Sequence, residues 1–217
     1  MDENKQFCCS GCGALNCYRR EKSFPAGCIG EDVSKEQLEE IKSLYLNDSM
    51  VCKIANAAAA VEGLYYGKLT RVEEIILFAK RIEAKKIGIA TCMGLMSEAK
   101  TFVKILDAQG VANYCVTCKV GSIDKTQAGL PEEVKIKKGN FEGMCNPILQ
   151  ADLLNKQQTD LNVLLGLCVG HDSLFIKYSN APVTTLITKD RVLAHNPAAA
   201  LHTTNSYYSK LLTQKLD

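Results

Sequence analysis

The sequence predicts an α/β fold, a Rossmann-like parallel sheet flanked by helices, with a cysteine-rich irregular N-terminal segment. Three observations lead there. Short apolar runs alternate with helix-periodic stretches through the second half of the chain, which is the pattern of βαβ units. Hydrophobic residues make up 47% of 217 residues, enough to bury a core without disulfides. Residues 1–32, by contrast, are rich in Cys and Gly and show no periodicity. Two parts follow: a cysteine-rich segment, 1–32, and a Rossmann-like domain, 33–217, with a helical lead-in over 34–84.

The elements follow in order. Ser34 and Gln37 have capping-box spacing ahead of "LEEIKSLYL". Asp48 or Ser49 caps a second helix, "MVCKIANAAAAVEGLYY". Thr70 and Glu73 repeat the box before "VEEIILFAKRIEA", whose Val72, Ile75, Ile76 and Ala79 share a face. "KKIGIATC" is a short apolar run and reads as a buried strand. "MGLMSEAKTFVKILDAQG" is a helix closed by Gly110. "VANYCVTC" is the second strand. Residues 120–143 are polar loop with one short element near "EEVKIKKG". "NPILQADLLNKQQ" is a helix with Pro147 in its first turn. "LNVLLGLC" is a third strand, "GHDSLFIKYS" a helix and "PVTTLIT" a fourth strand. The amphipathic tail "NSYYSKLLTQKL" reads as a last helix.

Composition excludes some functions. The net charge is +2 and the basic residues are scattered, so no stripe exists to neutralise nucleic-acid phosphates. Aromatics are sparse and Trp is absent, which disfavours a base-stacking surface. No apolar run reaches the ~18 residues that would suggest a membrane span. "MDENKQFCC" lacks the apolar core of a secretory signal. The expectation is a cytoplasmic protein with no membrane association. Thiols stay reduced there, so eleven cysteines read as metal ligands or reactive groups.

The cysteines form two constellations. In the first, Cys9, Cys12, Cys17 and Cys28 give C-x2-C-x4-C-x10-C. The C-x2-C step presents two sulfurs from one loop, and Gly11 and Gly13 let the backbone bend around them. A 4Fe-4S cluster takes one thiolate per iron, which three close cysteines and a distant fourth supply. Structural zinc usually takes two C-x2-C pairs, and the second half here is not such a pair. Zinc and reduced, unliganded thiols remain the alternatives. The spacing "CCSGCGALNCYR" resembles the N-terminal cluster-binding segment of nickel-dependent carbon monoxide dehydrogenases. In them an extra Cys directly before the first ligand serves a neighbouring cluster at a subunit boundary. The resemblance places Cys8 in that position, as a spare ligand, a ligand shared in a homodimer, or a redox thiol. It covers about 25 residues of a chain too short to be such an enzyme. Along most of its length the chain also resembles a family of uncharacterised cysteine-rich proteins of anaerobes, labelled metal-binding from their cysteines. The matching stretches are the cysteine run, "GIATCMGL", "GMCNPILQADLLN", "GLCVGHDSLFIKYS" and "APVTTLITKDRVLAHNP". That resemblance implies a metal site and no particular reaction.

The second constellation lies at strand ends. Cys92 ends the first strand, Cys115 and Cys118 the second, and Cys168 the third, while Cys145 precedes the "NPILQ" helix. Ligands of open parallel sheets bind at the carboxyl ends of strands. These thiols, distant in sequence, therefore converge on one crevice. Helix N-termini favour the thiolate form, most clearly at Cys145. Rossmann-like domains of carbon monoxide dehydrogenases and hybrid-cluster proteins also carry cluster ligands at strand ends, an analogy of architecture alone. Core packing is the competing role for each of these cysteines, above all Cys115 and mid-helix Cys52.

His171, three residues after Cys168, suits proton transfer beside thiolates, and is the candidate catalytic residue. Asp172 reads as the cap of the following helix, and His195 as structural. No G-x-G-x-x-G or P-loop follows a strand, so nucleotide binding is unsupported. The sequence thus predicts an iron–sulfur protein for electron transfer or small-molecule redox chemistry, with an oxidoreductase as its enzymatic form. One 4Fe-4S cluster sits in the N-terminal segment, and a second site, iron–sulfur or another metal, at the strand ends. Its partner is a redox protein or a small-molecule substrate. A zinc-stabilised binding module and a metal or cluster carrier are the alternatives.

Overall fold

The computed structural model describes residues 8–19 and 23–215. The chain divides into two compact units, Met1–Ala60 and Val61–Asp217, with the division inside a helix.

The first unit is a loop followed by helices. A single 3-10 turn, Cys9–Gly11, precedes the short helix α1 (Asn16–Arg19). Helix α2 (Lys35–Asn47) starts where expected: the Ser34 hydroxyl accepts the Gln37 N–H at 3.1 Å. Helix α3 (Ser49–Tyr65) is capped by Asp48, whose Oδ1 accepts the Met50 and Val51 N–H groups, both at 2.9 Å.

The second unit opens with α4 (Arg71–Arg81). Its full capping box joins Thr70 and Glu73, and its buried face is Ile75, Ile76 and Ala79. Four strands follow: β1 (Lys86–Thr91), β2 (Ala112–Thr117), β3 (Leu161–Leu165) and β4 (Val183–Ile187). They are the four apolar runs of the sequence. All pair in parallel, in the order β2-β1-β3-β4. The crossover helices are α5 (Met96–Ala108), α6 (Pro147–Lys156) and α7 (His171–Tyr178). From β1 the chain moves outward to β2, then returns past β1 to β3 and on to β4. Right-handed crossovers therefore put α5 on one face and α6 and α7 on the other. The packing of α6 on α7, and of α5 on β1 and β2, agrees. The architecture is the α/β fold the sequence predicts.

Two packing details fix the sheet. Asn162 is fully buried in β3, held by Thr159 Oγ1 (2.8 Å) and Ser179 Oγ (2.8 Å). Gly88 on the neighbouring β1 makes room for it: a Cβ there would lie 2.0 Å from Asn162 Oδ1. Arg71 at the start of α4 donates to Thr185 O (3.2 Å) and Thr184 Oγ1 (3.0 Å), tying that helix to β4.

Two expectations are corrected. The tail is not one continuous helix: residues 203–209 are turns, and helix resumes only at α9 (Lys210–Thr213), after the short α8 (Ala198–His202). The Asn, Ser and Tyr residues of "NSYYS" are weak helix formers and leave the nucleus unfavourable. Asp172 does not cap α7. Gly170, at φ +81°, holds the N-cap position, and Asp172 Oδ1 accepts only the adjacent Ser173 N–H at 2.8 Å. The segment between β2 and α6 is loop as expected, with two 3-10 turns at Thr126–Ala128 and Glu132–Val134.

Candidate functional site

The direction of winding reverses between β1 and β3, and the loops leaving these strands bound a crevice at the carboxyl edge of the sheet. Cys92 leaves β1 there, its N–H bonded to Leu165 O (3.2 Å) at the end of β3. Cys118 leaves β2, its N–H on Thr91 O (2.8 Å), while its own carbonyl accepts the Asn146 N–H (2.8 Å) at the cap of α6. That last bond sets Cys145 beside Cys118. Parity does the rest. Ala90, Val116 and Leu164 point to the α6/α7 face, and Cys118 is buried in the core cluster they form with Ala151, Leu154, Leu167 and Phe175. Cys92 and Cys145 pack against the same cluster, half-buried.

Cys118 interacts with both Cys145 and Cys92. It also accepts the Met93 N–H at 3.4 Å. The three titrate as a unit. Hydrogen bonding to Cys145 and Cys92, with burial, holds the Cys118 proton in place and pushes its pKa up. The Cys118 hydrogen bond in turn lowers Cys92 to about 5, helped by the Gly94 N–H and Lys189 against the cost of burial. Cys145 is lowered to about 5 chiefly by the same thiol, and then by the charges of Lys119 and His171. Two thiolates flanking one thiol is the resulting state at neutral pH.

The fourth thiol joins through a cation. Arg191 Nη2 donates to Cys168 Sγ at 2.9 Å. The Arg191 pKa is raised, first by Cys168 and further by the charges of Cys92 and Cys145, so its guanidinium lies in the field of three of the cysteines. The backbone of Cys168 starts α7: its carbonyl accepts the His171 N–H (2.9 Å) and the Asp172 N–H (3.1 Å). Lys189 comes to the same place. The point where a Gly94 Cβ would sit is 3.2 Å from Lys189 Nζ and 4.0 Å from Cys92 Sγ. Beneath the site, buried Gln150 donates to Val116 O (2.8 Å) and Thr91 O (3.2 Å), and its Oε1 is buried without a partner.

Of the strand-end cysteines, Cys92, Cys118, Cys145 and Cys168 are thus brought to one edge. Cys115 is not. It lies one residue out of phase with Val116, in register with Ile89, and faces the α5 side of the sheet. Burial alone raises its pKa. Cys52 lies in α3 and accepts the Asn56 side-chain N–H at 3.2 Å. In the N-terminal segment Cys8, Cys9 and Cys17 are exposed, and Cys12 and Cys28 are partly covered. Cys12 N–H bonds Cys9 O (3.1 Å) in the 3-10 turn, and Ser10 Oγ lies 2.8 Å from Cys8 Sγ and lowers the pKa of that thiol. Among the described residues no three His, Cys, Asp or Glu side chains form a group able to hold a metal ion as they stand. This applies to both constellations.

Lys119, Lys189 and Arg191 are absent from the sequence-based candidates. Their signal was positional: Lys119 lies two residues after the end of β2, and "KDR" begins two residues after the end of β4. The strand-end rule that selects the cysteines selects them equally.

The comparisons with known proteins give a family and no activity. The family model DUF1847, "Protein of unknown function", matches residues 28–186, a stretch that includes all four site cysteines. "Uncharacterized protein MJ0455" of Methanocaldococcus jannaschii is 48% identical over 206 residues, covering 95% of this chain and 98% of that protein. No solved structure matches. The chain therefore belongs to the DUF1847 family of proteins of unknown function.

Proposed function

We propose that this is a cytoplasmic metal-thiolate protein, of iron–sulfur type, whose working site is the cysteine group at the carboxyl edge of the sheet. The observation that carries the reading is that Cys92, Cys118 and Cys145 pack on one core cluster at the sheet edge, with Arg191 donating to Cys168 there. The donor chemistry fits a thiophilic group: soft sulfurs, two of them thiolates at neutral pH, within a frame of cationic side chains. Cys92, Cys118, Cys145 and Cys168 are the residues that would hold such a group, although they do not form a finished metal site as they stand. A bound iron–sulfur group supplies one-electron redox chemistry. The chain itself supplies the rest. Lys119, Lys189 and Arg191 offset thiolate charge, and the core cluster under Cys118 keeps water from the inner side. His171, at the start of α7, lies close enough to Cys145 to act on its charge and is the group available to hold a proton there.

The N-terminal Cys9, Cys12, Cys17 and Cys28 are proposed, on spacing and on their resemblance to the carbon monoxide dehydrogenase segment, to hold a 4Fe-4S cluster. Cys8 is the accessory thiol, and a redox protein or small molecule is the partner. The exposure of Cys8, Cys9 and Cys17 favours a second reading, a carrier that passes metal or cluster to an acceptor.

Anaerobic purification followed by iron, acid-labile sulfide, zinc and nickel analysis tests the proposal, with Cys118→Ser and Cys12→Ser separating the sites. Iron and sulfide that fall in each variant are expected. Stoichiometric zinc without sulfide overturns the redox reading in favour of a zinc-stabilised module, and rapid loss of metal to an acceptor favours the carrier.

A further inference from the structure

Cys92 and Cys118 are partners in the parallel ladder. The register of β1 on β2 pairs Ala90 with Val116 and Thr91 with Thr117. The Cys118 N–H bond to Thr91 O (2.8 Å) carries that register one residue further, to Cys92 opposite Cys118. The next bond of the ladder would join the Met93 N–H to Cys118 O. That N–H turns instead to Cys118 Sγ, at 3.4 Å, so the sulfur lies against the residue adjoining Cys92. Alternation puts both side chains on the α6/α7 face: Cys92 follows Ala90 by two residues and Cys118 follows Val116 by two, and all four belong to or pack on one core cluster. Neighbouring strands lie ~4.8 Å apart, inside the ~4.4–6.8 Å Cα separation that a disulfide spans.

The two thiols differ in access. Cys118 is 3% exposed, whereas Cys92 is half-buried. Gly94 keeps the way to Cys92 open: a Cβ there would lie 4.0 Å from Cys92 Sγ and 3.2 Å from Lys189 Nζ. A molecule from solvent therefore meets Cys92 first, and Cys118 is reached through Cys92. Lys189 stands at this approach. Exposed Arg191, two residues on, gives a single Nη to Cys168 and keeps the rest of its donor fork. Neither cation forms an ion pair with a carboxylate among the described residues. Asp190 between them is turned into its own loop, where its Oδ1 accepts the N–H groups of Val192 (2.9 Å) and Leu193 (2.8 Å). Lys189 and Arg191 are thus left for a negative charge arriving from solvent.

We infer that Cys92 and Cys118 are a dithiol pair that exchanges with a small disulfide bearing carboxylates, Cys92 attacking and Cys118 resolving. In the first step the Cys92 sulfur, as thiolate, bonds one sulfur of the substrate. The substrate S–S bond breaks, and the first thiol leaves with the proton that Cys92 gave up. In the second step the Cys118 sulfur bonds Cys92 Sγ, the mixed disulfide breaks, and the second thiol leaves with the Cys118 proton. Two electrons pass from the pair to the substrate, giving two small thiols and a Cys92–Cys118 disulfide. Excess small thiol runs the same steps backwards. The Met93 N–H favours the anion that forms on Cys118 Sγ during its attack. Lys189 and Arg191 hold the substrate carboxylates. The exchange belongs to the metal-free chain and does not draw on the metal-thiolate reading.

The reduced, chelator-treated full chain is mixed anaerobically, at constant ionic strength, with oxidised glutathione, which carries carboxylates, and in parallel with cystamine, which carries only ammonium groups. Peptide mass spectrometry follows each bond with time. Mapping is repeated in Cys115→Ser, because one tryptic peptide carries both Cys115 and Cys118. A Cys92–Cys118 disulfide is expected. Cys118→Ser is expected to stop at glutathione bound on Cys92, and Cys92→Ser to leave Cys118 reduced. The rate with oxidised glutathione relative to cystamine is expected to fall about 10-fold or more in Lys189→Ala and in Arg191→Ala, in line with the loss of a charge-assisted bond. Lys189→Gln and Arg191→Gln serve should either alanine variant fail to fold. A wild-type chain that does not react, that keeps glutathione on Cys92 beside a reduced Cys118, or that joins Cys118 to Cys145 or another cysteine in place of Cys92 overturns the pair. A relative rate unchanged by either charge substitution overturns the carboxylate-bearing substrate.

Discussion

Cys118 shows how much one residue's environment decides. It is buried among aliphatic side chains, yet two other thiols neighbour it and push its pKa up. Lowered pKa values mean that Cys92 and Cys145 stay thiolate as pH falls from neutral and lose that form only near about 5. Alkylation of the metal-free protein, followed site by site with mass spectrometry, is expected to show both modified at pH 6 and protected below their midpoint. Cys115, raised by burial, and Cys118 are expected to resist. Cys118→Ala removes the largest cause of both low values and is expected to move the two midpoints upward. Unchanged midpoints would show that Lys189 and Lys119 set them instead. The contrast between Cys115 and Cys118 was only partly legible from sequence. Strand alternation separates residues three apart, but which parity faces the site depends on the helices covering each face.

Among the elements, the strand-end turns are the demanding pieces. Gly166 follows β3 at φ +75°, and a Cβ there would lie 1.8 Å from Leu95 Cδ1. Gly166→Ala therefore meets both a backbone and a packing penalty, and a loss of about 3 kcal/mol or more in urea unfolding is expected. Gly110 has φ +68° but open space around it, so Gly110→Ala is expected to cost only about 1 kcal/mol. Similar losses for the two would refute the packing account. Thr70→Ala, which breaks the box starting α4, is expected to cost about 1 kcal/mol. The excursion between β2 and α6 is held by charge rather than by a core. Lys135 Nζ meets Asp124 Oδ1 and Glu132 Oε2, both at 2.9 Å, and Lys125 meets Glu142 Oε1 at 2.6 Å. The Thr126 hydroxyl, the Glu142 N–H and Lys135 hold Asp124 well below the usual carboxylate range, and Lys125 with two backbone N–H groups brings Glu142 to about 2. Depressed carboxylates stabilise the fold above their unfolded values of 3.8 and 4.5, and that contribution is lost as pH falls through this range towards about 2. Hydrogen-exchange protection of the Ile136 and Glu142 N–H groups, which bond Glu142 and Asp124, is expected to fall in that window while β1 and β3 stay protected. Simultaneous loss in the strands would mean that the excursion is part of the global unfolding unit.

For the whole molecule, the metal-thiolate reading makes stability depend on the metal. A group bound only by the folded chain stabilises it by about 2.7 kcal/mol at a hundredfold excess over its dissociation constant. Tm of the metal-free protein is expected to rise with added zinc or cadmium, and the rise to vanish in Cys118→Ser. A rise that survives in this variant but vanishes in Cys12→Ser would place the binding in the N-terminal segment. The described residues contain no helix long and apolar enough to cross a membrane. By itself the sequence determined the four strands, the crossover helices and the caps at Ser34 and Thr70, and it narrowed the cap of α3 to Asp48 or Ser49, because apolar periodicity and side-chain-to-backbone hydrogen bonds are local properties of the chain. Only the tertiary structure decided which thiols meet. The strand order sets Cys92, Cys118, Cys145 and Cys168 at one edge, the pleat turns Cys115 to the other face, and the loop after β4 brings Lys189 and Arg191 into their field. Such encounters depend on which strands become neighbours, and spacing along the chain does not encode that.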